Sequence, residues 1–302
     1  MSLDFPIVLI IFQRPEPTRT VFSAIREARP TSLYVLADGP RSEYADEGNR
    51  CAQARAVTEN VDWPCEVTRL YADENLGLKK RISTGLNAVF EAEERAIILE
   101  DDCVPIPSFF RFCDEMLETY ADVDHIMTVS GNNYQPRRRT RYSYYFSRYM
   151  HCWGWATWRS AWSRFDGNMQ TWPRVREDRW LDQIFDSPSA VRYWTSIFDR
   201  TYAGDINSWA YAWQYNIWMN AGLNILPESN LVRNVGFGDE ATNTRGESNL
   251  SIPAQPLDEP FRHPPSLVRH RVADAFTQYR HYQTPITQKI KRRLSGIVSR
   301  FS

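Results

Sequence analysis

The chain predicts an α/β fold, with a mostly parallel central sheet flanked by helices. Three observations predict it. Between residues 6 and 122, short apolar runs alternate with longer segments whose apolar residues recur at helical spacing. Such alternation implies parallel strands joined by helical crossovers. The apolar runs are continuous, as expected for strands buried on both faces. Charged residues stand directly after several runs, at the carboxyl ends where such sheets hold ligands.

Each element follows in order. "PIVLIIF" (6–12) predicts the first strand, since neither a basic flank nor a small-residue cleavage site marks it as a signal peptide. "PTRTVFSAIREA" (17–28) predicts a helix through Val21, Phe22, Ile25 and Ala28. "SLYVLAD" (32–38) is a second strand that ends in an acid, and 49–61 a second helix. Residues 65–72 read as a strand, 79–94 as a helix, and "RAIILEDD" (95–102) as the fourth strand, followed by a helix at 107–122.

Beyond residue 125 the texture changes. "HIMTVSG" (125–131) predicts another strand, "QPRRRTRYSYYFSRY" (135–149) a basic, Tyr-rich loop or edge, and "HCWGWATWRSAW" (151–162) a dense aromatic stretch. Helices are expected at 186–204 and 208–222, the second stopping at Gly222. A strand and a Gly-bounded loop follow at 223–238, and a proline-rich packed arm at 254–265. The reading divides the chain into a nucleotide-sugar-binding half (1–130), an acceptor half (131–250), and an arm with a basic amphipathic end (251–302). In "ITQKIKRRLSGIVSRFS" (286–302) apolar residues fall on one side among Lys and Arg, a pattern for a membrane-surface helix or a docked terminal one.

Composition excludes several classes. The 302 residues carry 36 Lys+Arg against 37 Asp+Glu, so no global field for nucleic acid exists. The local basic patch at Arg137, Arg138, Arg139 and Arg141 reads first as a solvated loop, and no nucleic-acid partner is expected. No run approaches the ~18 apolar residues of a membrane helix. Five cysteines without a CxxC pair predict reduced thiols and a cytoplasmic setting, peripheral on the inner membrane face if the tail binds there. No GxxxxGK[ST] or GxGxxG occurs, which argues against P-loop and dinucleotide-binding readings.

Glu100, Asp101 and Asp102 pose the functional question. Adjacent carboxylates at a strand end repel, and desolvating them is costly unless a cation compensates. Carboxylates suit Mg or Mn, and such ions take one or two protein carboxylates plus substrate phosphates. A metal there implies a diphosphate ligand, with Arg14, Lys79, Lys80 and Arg81 as further cations. The alternative for three acids alone is a solvated turn.

Six stretches together carry a resemblance: "VLIIFQRPEPT" (8–18), "LYVLADGPR" (33–41), "NLGLKKRISTGL" (75–86), "AIILEDDCVPIPSFFRFC" (96–113), "YFSRYMHCWGWATWRSAW" (145–162) and "NLVRNVGFGDEAT" (230–242). Over roughly residues 5–245 the chain resembles bacterial nucleotide-sugar glycosyltransferases of the GT-A fold, in the glycosyltransferase family 2 or hemolytic-protein-like group. It is more distantly similar to the animal N-acetylglucosaminyltransferase I group. The resemblance implies a Rossmann-like sheet and a nucleoside-diphosphate-sugar donor, UDP-sugar favoured. It implies Arg14 toward the diphosphate, Asp38 toward the base, and Lys80 and Arg81 on the donor side. Asp102, with Glu100, would hold the metal, and Asp101 would lie by the ribose or donor sugar. Trp153, Gly154 and Trp155 would line substrate walls, and the acceptor would be a glycan or lipid-linked glycoconjugate.

The chain departs from that pattern at "INSWAYAW" (206–213), where the family segment reads Trp-Asp-Tyr-Gln-Trp. The Asp matches a general base, and here it is Ala210, with Ala212 at the Gln position. Asn243 likewise stands where the family has His. Candidate substitute bases are Asp205, Asp239 and Glu240; the other readings are a base-lacking binder of nucleotide sugar or glycan, a retaining mechanism, and a sugar nucleotidyltransferase. The expectation is a metal-dependent, inverting glycosyltransferase of bacterial surface polysaccharide synthesis.

Overall fold

β1 (Ile7–Ile11) shows why its sequence has no alternation. In a computed structural model that describes residues 5–236 and 252–283, all five of its residues are buried. Ile7, Leu9 and Ile11 enter one apolar core and Val8 and Ile10 the other, so the strand lies between two packed layers. The units follow as α1 (Pro15–Ala28), β2 (Ser32–Ala37), α2 (Glu47–Val57), β3 (Glu66–Tyr71), α3 (Leu78–Ala92), β4 (Arg95–Glu100), β5 (Cys103–Pro105) and α4 (Pro107–Thr119). The amphipathic faces decide the layers. Val21, Phe22 and Ile25 of α1 and Phe109, Phe112 and Met116 of α4 cover one face of the sheet. Ile82, Leu86 and Val89 of α3 cover the other.

The later chain supplies β6 (Ile126–Ser130), β7 (Tyr144–Ser147), β8 (Trp155–Trp158), α5 (Arg159–Trp162), α6 (Trp172–Glu177), α7 (Leu181–Ile184), α8 (Pro188–Tyr202), α9 (Trp209–Met219), β9 (Leu223–Pro227), β10 (Val232–Asn234) and α10 (Arg271–Thr277), which runs into a π-helical turn at Gln278–Tyr282. One eight-stranded sheet runs β3-β2-β1-β4-β8-β6-β9-β7. Its first four strands are parallel, as expected; β8 enters antiparallel to both β4 and β6. The sheet therefore continues across residue 130 without a break.

Three elements differ from expectation. The aromatic stretch 151–162 becomes strand β8 and helix α5, and Trp155 and Trp158 are buried rather than lining a loop. The fourth strand stops at Glu100, because Asp101 and Asp102 form a turn. Residues 232–234, expected in a loop, pair antiparallel with β5. The Tyr-rich stretch does provide an edge, β7, against β9. The proline-rich arm drops Leu257 and Phe261 into the first core. Among the described residues no helix is long and apolar enough to cross a membrane. The basic segment 286–302 lies outside the described residues.

Candidate functional site

The parallel strands deliver their charged residues to one end of the sheet. Arg14 precedes the first turn of α1, just past β1, and crosses to the turn after β4. Its guanidinium forms a two-pronged ion pair with Asp101, through Nη2 and through Nε at 3.2 Å, and Nη2 also reaches Asp102 at 3.0 Å. β10 then closes over Asp102: Asn234 Nδ2 donates to Oδ1 at 3.3 Å, and the Val235 amide donates to the Asp102 carbonyl at 2.8 Å. Gly236 passes so close that a Cβ there would stand 2.1 Å from Asp102 Oδ2.

One arginine faces three carboxylates, and the imbalance shows in their protonation. Desolvation, then repulsion from Asp102 and Asp101, pushes Glu100 up to about 8. Burial pushes Asp101 up to about 6, against the pull of Arg14 and the Phe12 amide. Burial opposes the Arg14 charge, yet Asp101 and Asp102 outweigh it and hold its pKa above the ordinary value. The cluster thus sets three carboxyl groups against one guanidinium.

Across β1, the end of β2 has the opposite imbalance. Asp38 accepts from the amides of Gly39 (2.9 Å), Leu76 (2.8 Å) and Gly77 (3.0 Å) and from Asn75 Nδ2 (3.2 Å), so it anchors the loop that enters α3. Both its oxygens are engaged there. Arg81, one turn into α3, is 8% exposed and makes no side-chain hydrogen bond or ion pair among the described residues. Burial lowers its pKa, and only the distant charge of Asp38 opposes that. Its neighbour Lys80 points outward and is exposed. β2 and β4 flank β1, so the ends of these two strands lie about 10 Å apart at ~4.8 Å per strand.

The aromatic residues divide. Trp155 is 1% exposed, stacked on Trp209 at 5.2 Å, which makes it core and not a wall. Gly154 adopts φ +65° and its carbonyl accepts from Gly131 at 2.7 Å; a Cβ there would meet Val232 at 2.9 Å. Its service is close packing of β8 against β10. Trp153 is only partly buried and stands edge-on to Tyr134 at 5.4 Å. Ala210 is half-buried in the first turn of α9. Asp205 is exposed on the loop before it, and Asn207 of that loop comes to 3.4 Å from the Cβ position of Gly77. Asp239 and Glu240, like Asn243, lie outside the described residues.

Sequence reasoning brought Arg14, Glu100, Asp101 and Asp102 together and missed Asn234 and Gly236. Their signal is slight, because a three-residue pairing of β10 with β5 carries no periodicity. Among the described residues no three His, Cys, Asp or Glu side chains form a metal cage. Asp102 and Glu100, two carboxyl donors of a cluster with one arginine, are a donor set that suits an ion completed by substrate oxygens.

No family model and no curated protein matches the chain. Among solved structures it is similar to UDP-glucose pyrophosphorylase complexed with UDP-glucose, with 12% identity and a TM-score of 0.27. The likeness covers 47% of this chain and 62% of that one, and at this score it carries no argument about function.

Proposed function

We propose that the chain is a glycosyltransferase that moves a sugar from a nucleoside diphosphate sugar, UDP-sugar favoured, to a hydroxyl of a glycan or lipid-linked glycoconjugate, in bacterial surface polysaccharide synthesis. One observation carries this reading. A buried, unmatched guanidinium (Arg81, on the helix that follows the Asp38 loop) and a cluster of three acids with one arginine (Glu100, Asp101, Asp102) lie on the two sides of β1. A diphosphate with a divalent ion supplies one anion and one cation, and so meets both.

In the reaction the acceptor hydroxyl attacks the anomeric carbon as the bond to the diphosphate oxygen breaks. Asp102 and Glu100 would hold Mg or Mn, which would supply charge neutralisation for the leaving diphosphate. Arg81 supports the same charge from the opposite side, from a site dry enough to strengthen the interaction. Arg14 holds Asp101 and Asp102 in place. Inversion needs a carboxylate to take the acceptor proton, and Asp205 is the described candidate, on the loop beside Gly77. Ala210 favours a second reading, a binder of nucleotide sugar that transfers nothing.

Asp102→Ala tests the metal reading. Metal-dependent affinity for UDP should vanish, measured by calorimetry with Mn and then with chelator. Unchanged affinity in both the variant and the chelated wild type would remove the metal from the site.

A further inference from the structure

A second charged region lies away from the strand ends. A cavity of about 920 Å³ opens between α8, the segment after β7, and α10 with its π-helical turn. That volume suits a ligand of several rings. Five arginines line it: Arg148, Arg192, Arg200, Arg269 and Arg271. They face two acids. Asp186 pairs with Arg271 at 2.9 Å, and Asp274 sits between Arg148 (3.5 Å) and Arg269 (3.3 Å) while accepting from Ser147 Oγ at 2.6 Å. Arg192 and Arg200 are exposed and have no side-chain partner among the described residues.

Two buried donors in the wall are poorly met among the described residues. Arg148 is 9% exposed, and its Nε has only the 3.5 Å ion pair with Asp274 and no hydrogen bond. Gln278 is 8% exposed; its Oε1 accepts from Tyr149 and Trp194, and its Nε2 has no acceptor among the described residues. Buried donors left unmade cost free energy. The lining is therefore short of acceptors and carries surplus positive charge, which only an anionic, oxygen-rich ligand corrects. Arginine forks match phosphate oxygens in particular.

We infer that this cavity binds a phosphate-bearing ligand, at a site separate from the strand-end acids. Its place suggests the use. α8, which carries Arg192, Tyr193 and Arg200 of the lining, packs against α9, and Tyr211, the residue after Ala210, stands edge-on to Trp194 of α8 at 6.2 Å. Resting on the transferase reading, the ligand is the acceptor, held by its phosphate with its sugar toward α9.

The test uses the full chain, titrated by calorimetry with inorganic pyrophosphate in chelator and, separately, with UDP and Mn. Arg81→Met silences the strand-end site, and the exposed pair Arg192→Ala/Arg200→Ala weakens the cavity. Pyrophosphate should bind the Arg81→Met protein, and adding the pair should weaken that binding about tenfold per arginine. The pair alone should leave UDP affinity unchanged. A third arm uses vesicles of phosphatidic acid against phosphatidylcholine. Soluble pyrophosphate binding identifies a water-soluble phosphate ligand; binding to phosphatidic acid alone, lost in the pair, identifies a lipid-borne phosphate. Binding of neither, or binding of either that the pair leaves unchanged, overturns the inference. Failure of UDP alone would sink the transferase reading and leave the cavity standing.

Discussion

The two halves of the sheet solve the same packing problem with different chemistry. In the half built from β3, β2, β1 and β4, neighbours in space are close in sequence, the strands are aliphatic, and charge collects at one end. In the half built from β8, β6, β9 and β7, the order is scrambled, and Trp155, Trp162, Trp194, Trp209 and Trp213 fill the layer above it. The first half leaves charges unmatched at its strand ends, and the second closes its aromatics on one another and keeps its surplus arginines in the cavity beside α8. Binding capacity follows the unmatched groups, so the aromatic density that resembles sugar-stacking walls is mostly core.

The largest break of that comparison is Arg14→Ala. It strips the counter-charge from Asp101 and Asp102, and removing one partner of a buried pair costs about 3–5 kcal/mol. Urea unfolding should show that loss, whereas loss of an exposed pair such as Arg174–Asp178 should stay below about 1 kcal/mol.

Ala210→Asp sharpens the contrast from the other side. A carboxylate in the first turn of α9 supplies the residue type that the resemblance to the glycosyltransferases leads one to expect there. If the base is what the chain lacks, donor turnover with acceptor should rise by about 10²-fold. No change, with UDP affinity intact, would favour Asp205 or another base.

Gly131→Ala probes the seam between the halves. Its Cβ would stand 2.5 Å from Phe109 and 2.7 Å from Val232, so overpacking should cost about 1–3 kcal/mol. Thermal unfolding of the variant measures it.

The smallest effect is a pH slope. Burial, with a smaller push from His281, lowers His151 to about 3, and burial lowers His281 to about 4. Both therefore stay neutral when folded and gain protons on unfolding at any pH between those values and about 6.5. The unfolded state binds more protons there, so stability from these groups falls as pH drops below about 6.5. The gap in unfolding midpoint between wild type and His151→Gln/His281→Gln should shift toward the variant from pH 7 to pH 5. A gap independent of pH would contradict the buried neutral pair.

How legible the molecule was in its sequence follows the same division. β1, β2 and β4 were readable because burial on both faces leaves unbroken apolar runs, and the acids were readable because they end one. β8 was not, since Trp-Ala-Thr-Trp has no period that separates a strand from a wall. Asp38 was readable as important. Its three acceptor bonds to loop 75–77 were not, because they depend on a glycine turn that only tertiary packing positions. Arg81 appeared as one cation among several in "KKR", and only the fold shows that it alone of the three is buried. The cavity arginines lie between residues 148 and 271 in sequence, and nothing local joins them.

The central claim is that the unmatched Arg81 of α3 and the acids after β4 bind a diphosphate with its metal. Calorimetric titration of UDP and GDP into wild type and Arg81→Met, with Mn and then with chelator, tests it most directly. The account predicts metal-dependent binding of one nucleotide, abolished by chelator and weakened at least about tenfold in Arg81→Met. Absence of binding by either nucleotide, or binding that neither chelator nor Arg81→Met reduces, would contradict it.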